Sequence, residues 1–260
     1  MFHGIVRRTL VAFLVGRTFA LPLALADSCS AEDPEDAWII SADAAFNSKY
    51  IWRGIDLVDD TVFQPSFAAS YGGLTFSIWG NMELTNSNDE VGEFTELDYV
   101  VDYTCVWERM ALSIGVIHYQ FPNIGTPTTT EIYGAAALSI LLEPTLTVYQ
   151  DVDQADGTYF CFSLGHTLED VWSLSGGISV SADFSGSLGY GSSNFNRFYY
   201  GFDNEAFTDA LLSAALPIAL SENWTLTPSV NYTTLLDGGL RKEMDKDDNV
   251  WGSFTVSWCF

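Results

Sequence analysis

Lys49 and Arg53 stand four positions apart in a chain of 260 residues with 10 basic and 34 acidic side chains. Read with a period of two, they point the same way as Ser41, Asp43, Ala45 and Asn47. By the same parity Glu83, Glu96, Asp98, Asp102, Glu131, Asp151, Asp153, Asp183 and Asp209 fall on the polar faces of other alternating stretches. Two cations facing a surplus of carboxylates could form a charged constriction of the kind that sets ion selectivity in a pore. The same groups could equally neutralise one another and brace a wall. An Arg/Lys track suited to sugar acids is missing.

Nucleophilic catalysis would need a base beside a hydroxyl. Outside the first 26 residues only His118 and His166 could serve. Neither has a recognisable Ser/His/acid spacing, and both fall on apolar faces, where an amphipathic histidine suits an interface. A barrel lipid hydrolase is therefore the weakest of the functional alternatives, and no enzyme is expected. The four cysteines, Cys29, Cys105, Cys161 and Cys259, show no C-x-x-C spacing. No zinc site or other metal site is expected, and no cofactor. In an exported chain the cysteines could pair in three ways, among which the sequence does not choose.

The elements that must carry these groups are strands. The last eleven residues put Val250, Gly252, Phe254, Val256, Trp258 and Phe260 on one face and Trp251, Ser253, Thr255, Ser257 and Cys259 on the other. A terminal strand ending in Phe resembles the closing strand of bacterial outer-membrane barrels, which the insertion machinery reads. Eleven further segments alternate in the same way: 38–53, 63–71, 74–84, 95–107, 110–119, 131–142, 145–153, 158–167, 172–184, 207–220 and 224–235. Residues 131–142 and 207–220 also have helical content. Gly72-Gly73, Glu108-Arg109, Glu143-Pro144, Glu169-Asp170 and Ser221–Asn223 read as short turns, and the other connections are longer, 185–206 most of all. Short turns at one end and long loops at the other are the plan of an outer-membrane β-barrel with its short side in the periplasm. A soluble sandwich predicts no such alternation, and would carry Lys and Glu on its polar faces rather than Ser, Thr, Asn and Asp. Trp38, Tyr50, Trp52, Tyr71, Trp107, Tyr119, Trp172, Trp224, Trp251 and Trp258 lie near segment ends, as interfacial girdles require.

Composition agrees. Aromatic residues make up 15% and charged residues 17% of the chain, which excludes a disordered polymer. Arg7 and Arg8, an apolar stretch and Ala24-Leu25-Ala26 read as a signal peptide over 1–26. Residues 27–37 read as an acidic periplasmic tail, and 38–260 as the barrel. Without Arg7, Arg8 and Arg17 the chain keeps 7 basic against 34 acidic residues, a formal charge of −27. That excludes nucleic acid as a partner.

Ser48-Lys49-Tyr50-Ile51-Trp52-Arg53-Gly54 matches an S-x-Y-x-x-R-G signature near the first strand of the TorF-type family of presumed bacterial porins, formerly of unknown function. The resemblance continues through Gln64-Pro65, Ser70-Tyr71 with Gly73, Trp79-Gly80, Glu96-x-Asp98 and Asp102-Tyr103. It implies an outer-membrane barrel with a pore, but no substrate and no site residues.

The expectation is an all-β, twelve-stranded antiparallel transmembrane barrel. Its expected function is passive, cation-preferring diffusion of small solutes through the outer membrane. A closed barrel that anchors the envelope or binds a partner through acidic loops is the alternative. The expected partners are outer-membrane lipid, the insertion machinery through Val250–Phe260, and small solutes or cations.

Overall fold

A computed structural model describes residues 37–86, 91–174 and 177–260. The expected signal peptide and all but the last residue of the expected tail lie outside that range. The chain runs β1 (Ile39–Asn47), β2 (Tyr50–Trp52), β3 (Ile55–Val58), β4 (Val62–Tyr71), β5 (Leu74–Glu83) and β6 (Phe94–Trp107). It continues through β7 (Met110–Gln120), β8 (Thr129–Leu138), β9 (Thr145–Asp151), β10 (Thr158–Ser173), β11 (Ser179–Gly191) and helix α1 (Ser193–Tyr200). It ends with β12 (Ala206–Ala215), β13 (Ile218–Ala219), β14 (Trp224–Leu235), helix α2 (Leu240–Glu243) and β15 (Asp248–Cys259).

Twelve antiparallel strands close into a barrel. β10 pairs with both β9 and β11, and the seam joins β1 to β15, with Ser41 opposite Cys259 and Asn47 opposite Ser253. Backbone bonds between Ile40 and Phe260, 2.8 and 2.9 Å long, finish the seam. The short β13 extends β12 beyond Pro217, which cannot donate to the ladder. Period-two chemistry explains the closure. In β7, Leu112, Ile114, Val116 and His118 are exposed, while Ser113, Gly115, Ile117 and Tyr119 are buried. The outer wall is a band of Leu, Ile, Val and Phe with Trp38, Tyr71, Trp107, Trp172 and Trp224 exposed near the short-turn end. An apolar exterior over a polar interior is the pattern of a membrane-spanning barrel.

Several expectations need correction. Residues 38–53 are not one wall strand: β1 ends at Asn47, and β2 and β3 form a separate two-stranded sheet. Glu169-Asp170 is not a turn, because β10 continues to Ser173 across a register shift between Leu168 and Trp172. Residues 185–191 belong to β11, and α1 occupies residues 193–200 of that expected loop. The stretches with helical content, 131–142 and 207–220, form strands. Tyr50, Trp52, Tyr119 and Trp251 are inside the barrel, between 2 and 7% exposed, not in a girdle. Cys105 and Cys161 are free, and Cys259 is disulfide-bonded.

Candidate functional site

The upper lumen, at the long-loop end, is filled by the hairpin β2–β3. Trp52 pairs with Ile55 across a two-residue turn, Arg53-Gly54. Both residues have positive φ, +46° and +84°, the pattern of a type I′ turn. Gly54 is needed twice over. A side chain there would be strained by φ, and a Cβ would meet Asp209 Cβ at 2.8 Å and Leu235 Cδ2 at 2.9 Å. Arg53 accepts the strained position at the tip, and its side chain is driven into the barrel, 5% exposed.

There Arg53 makes a fork with Glu131 of β8. Nη1 donates to Oε1 and Nη2 to Oε2, each at 2.8 Å. The Tyr119 hydroxyl of β7 donates to the same carboxylate at 2.7 Å. Four rings surround the guanidinium: Tyr159 with its centroid 4.3 Å from Cζ, Tyr149 at 4.5 Å, Trp52 at 4.6 Å and Phe195 at 5.3 Å. Bidentate geometry and stacking are what a guanidinium offers and an ammonium does not. The Tyr200 hydroxyl donates to the Arg53 carbonyl at 2.5 Å, so the hairpin tip is held at backbone and side chain.

Phe195 and Tyr200 come from α1, which also lies in the upper lumen. The helix is capped at both ends. Ser192 Oγ accepts from the Phe195 N–H, and Gly201, at φ 72°, turns the chain out with its N–H on the Asn196 carbonyl. Asn196, with no exposed surface, donates to the carbonyls of Gly191 and Asn204. Hairpin, helix and wall tyrosines pack as one apolar cluster with Val62, Leu235 and Leu240.

Around this plug and in the lumen below it lie the expected carboxylates of the wall. Glu83, Glu96, Asp98, Asp102, Glu131, Asp151, Asp183 and Asp209 are all at most 7% exposed. Most are paired with a phenol. Tyr50 donates to Glu96, Tyr133 to Asp102 and Tyr199 to Asp151, each at 2.8 Å, and Tyr159 to Asp209 at 2.9 Å. Asp98 differs, because neither of its oxygens has a hydrogen-bond partner among the described residues. Its neighbours across the ladder are Trp79 on β5 and Tyr119 on β7. Arg53 is the sole basic side chain among the described buried residues.

Three sequence candidates lie elsewhere. Asp43 is half-buried on β1 and accepts from Ser66 at 2.9 Å. Asp153 is exposed in the β9–β10 loop. Lys49 follows β1 at the rim, where it bonds Asn249 at 3.1 Å and Asp56 at 3.3 Å and also pairs with Asp59. Lys246, from the β14–β15 loop, joins the same two aspartates. This clamp ties the outer end of the hairpin to the last long loop. Lys246 was not singled out by the sequence, since a loop lysine carries no parity signal.

Below the plug the lumen is lined by small polar groups. A small recess is bordered by Asp183, Ser213, Thr227, Asn231, Ser253 and Thr255 among others. His118 and His166 are both exposed on the outer face, and His118 Nδ1 lies 3.1 Å from Thr130 Oγ1.

This architecture is similar to solved outer-membrane proteins. LpxR from Salmonella typhimurium aligns with a TM-score of 0.54 at 9% identity, over 85% of this chain and 99% of that one. An outer-membrane channel from Pseudomonas putida F1 aligns with a TM-score of 0.50 at 9% identity, over 87% and 96%. The porin NanC gives 0.48 at 11% identity, over 84% and 98%. At 9% identity the likeness to the first two establishes the fold alone, that of an outer-membrane β-barrel. No curated protein sequence matches the chain at a significant level. A family model does match, over residues 31–236, and the chain belongs to that family, the bacterial proteins of unknown function designated Gcw_chp.

Proposed function

We propose that this porin-like barrel is a gated, cation-preferring channel of the outer membrane, held shut here by the Arg53 hairpin. The observation that carries the reading is the charge balance of the lumen. Among the described residues eight buried wall carboxylates share the lumen with one buried guanidinium, and that guanidinium sits on a hairpin rather than on the wall. Withdrawing the hairpin would leave a corridor of carboxylates, which attracts cations and repels anions. The resemblance of Ser48–Gly54 to TorF-type porins supports the same reading. The apolar exterior fits outer-membrane lipid, and the terminal strand Val250–Phe260 fits recognition by the insertion machinery. Small cations or uncharged polar solutes would be the cargo.

Planar-bilayer recording under a salt gradient tests this. The wild-type protein is expected to be mostly closed with brief cation-selective openings, and Arg53→Ala to be open for most of the record. A barrel that folds yet stays silent with Arg53→Ala would instead support the second reading, a permanently closed structural barrel. That reading is favoured by the complete burial of Phe195, Leu235 and Leu240 in the plug.

A further inference from the structure

The site that holds Arg53 is only half made by the hairpin and helix. Glu131, Tyr119, Tyr149 and Tyr159 all belong to wall strands, β8, β7, β9 and β10. They supply both oxygens of the fork, the hydroxyl that orients the carboxylate and the two nearest rings, at 4.5 and 4.3 Å. Each of these strands is fixed by its neighbours in the ladder, so the backbone of the wall half does not depend on the hairpin.

We infer that this wall pocket is a recognition site for the guanidinium group of a small solute, and that Arg53 occupies it as a tethered stand-in. A planar cation donating two parallel N–H groups to Glu131 while stacking on Tyr149 and Tyr159 would repeat every wall contact that Arg53 makes. A primary ammonium has neither the fork nor the flat face. The inference rests on the gate reading for its consequence: a solute that takes the pocket displaces the hairpin tip and admits itself. A tethered group competes as if present at roughly millimolar concentration or above. The solute must therefore be abundant or add contacts of its own, and Asp98, two strands from Glu131, offers an unpaired carboxylate for a second positive charge.

Chemical rescue of Arg53→Ala with methylguanidinium tests the pocket. The variant is refolded in detergent with and without the additive. Folded fraction is read by heat-dependent gel mobility, Tm by thermal unfolding, and current in bilayers. Methylguanidinium is expected to shift Tm upward in a saturable way, raise the folded yield and block the variant's current. Methylammonium at the same concentration is expected to do none of these, and Arg53→Ala/Glu131→Gln is expected to ignore both. A yield, Tm and current that do not respond, or respond equally to methylammonium, would overturn the assignment. The folding yield keeps the test decisive if Arg53→Ala alone refolds poorly. A conducting variant that ignores methylguanidinium would sink the pocket and leave the gate. A silent variant whose Tm responds would sink the gate and leave the pocket.

Discussion

Arg53 and Glu131 lie 78 residues apart and meet through two 2.8 Å hydrogen bonds inside the barrel. One partner is carried on a two-residue turn and the other on the wall, so this ion pair joins the tip of the hairpin to the barrel wall. Breaking a buried pair by removing one side leaves the other charge desolvated, at a cost of about 3–5 kcal/mol. Glu131→Gln and Arg53→Ala are each expected to lower the unfolding free energy by about that much. The double variant should recover part of it, because no bare charge remains. Thermal or denaturant unfolding of the four proteins gives the coupling. Strictly additive losses would show that the pair is not the latch.

Gly54→Ala tests the hairpin without changing any charge. The φ of +84° and the 2.8 Å approach to Asp209 Cβ both oppose a side chain. The substitution is expected to cost about 1–2 kcal/mol or more and to raise the open fraction in bilayers. Ion selectivity should stay that of the wild type, since no lumen charge is removed. A variant as stable and as closed as the wild type would separate the turn from gating.

Asp98 has no exposed surface and two unpartnered oxygens. A buried carboxyl with no partner carries a desolvation cost whenever it ionises, and an amide of the same shape does not. Asp98→Asn is therefore expected to raise Tm, while lowering the cation-to-anion permeability ratio when combined with Arg53→Ala. Reversal potentials in a salt gradient read the second effect. An unchanged ratio would take Asp98 out of the conduction path.

The rim clamp sets a pH dependence. Hydrogen bonds from Lys246 and Lys49 lower the Asp59 carboxyl from 3.8 to about 2, and those to Asp59 and Asp56 raise the Lys246 amine. A depressed carboxyl stabilises above its ordinary value and loses that contribution as pH falls toward its folded value. A raised amine stabilises below its ordinary 10.5 and loses it only on the alkaline side. The clamp should thus hold at constant strength from about pH 5 to about pH 9, and loosen toward pH 2. Open probability followed over acid pH should rise only below about pH 4 in the wild type, with a smaller step in Lys246→Met, where Lys49 still holds Asp59. A step between pH 7 and pH 5 would assign the response to other groups.

Cys161 reports on the lumen. It is partly buried against the plug, whereas Cys105 is exposed on the outer face. A charged, water-soluble thiol reagent is expected to label Cys161 slowly in the wild type and several-fold faster in Arg53→Ala. Equal rates would mean that the plug does not move.

The strand count and the inward carboxylates were legible because a strand reports its two faces with a period of two, and a short turn reports the end of a hairpin. Leu112, Ile114 and Val116 against Ser113 and Ile117 need no structure to interpret. What the period cannot say is which sheet a strand joins. Tyr50, Trp52 and Arg53 continue the parity of β1 past Ser48, so the plug looked like more wall. Glu169-Asp170 has turn chemistry, yet it sits in a register shift of an overlong strand. Helix α1 does carry local signals, Ser192 as its cap and Gly201 as its stop, with Phe195, Tyr199 and Tyr200 on one side between them. Nearness to strand ends points Tyr119 and Trp251 to a girdle, although parity sets them opposite the outward residues His118 and Val250.

Of the twelve pairings in the wall, eleven join strands that follow one another along the chain, and one, β1 with β15, spans nearly its whole length. Hairpins form locally and early, on microsecond scales. The seam instead carries a loop-closure entropy on the order of 5 kcal/mol for more than two hundred intervening residues. Its contacts can appear only after the last strand is made, so closure is the late and slow event of folding. Until then the row of unpaired amides along β1 is an open edge, available to another chain.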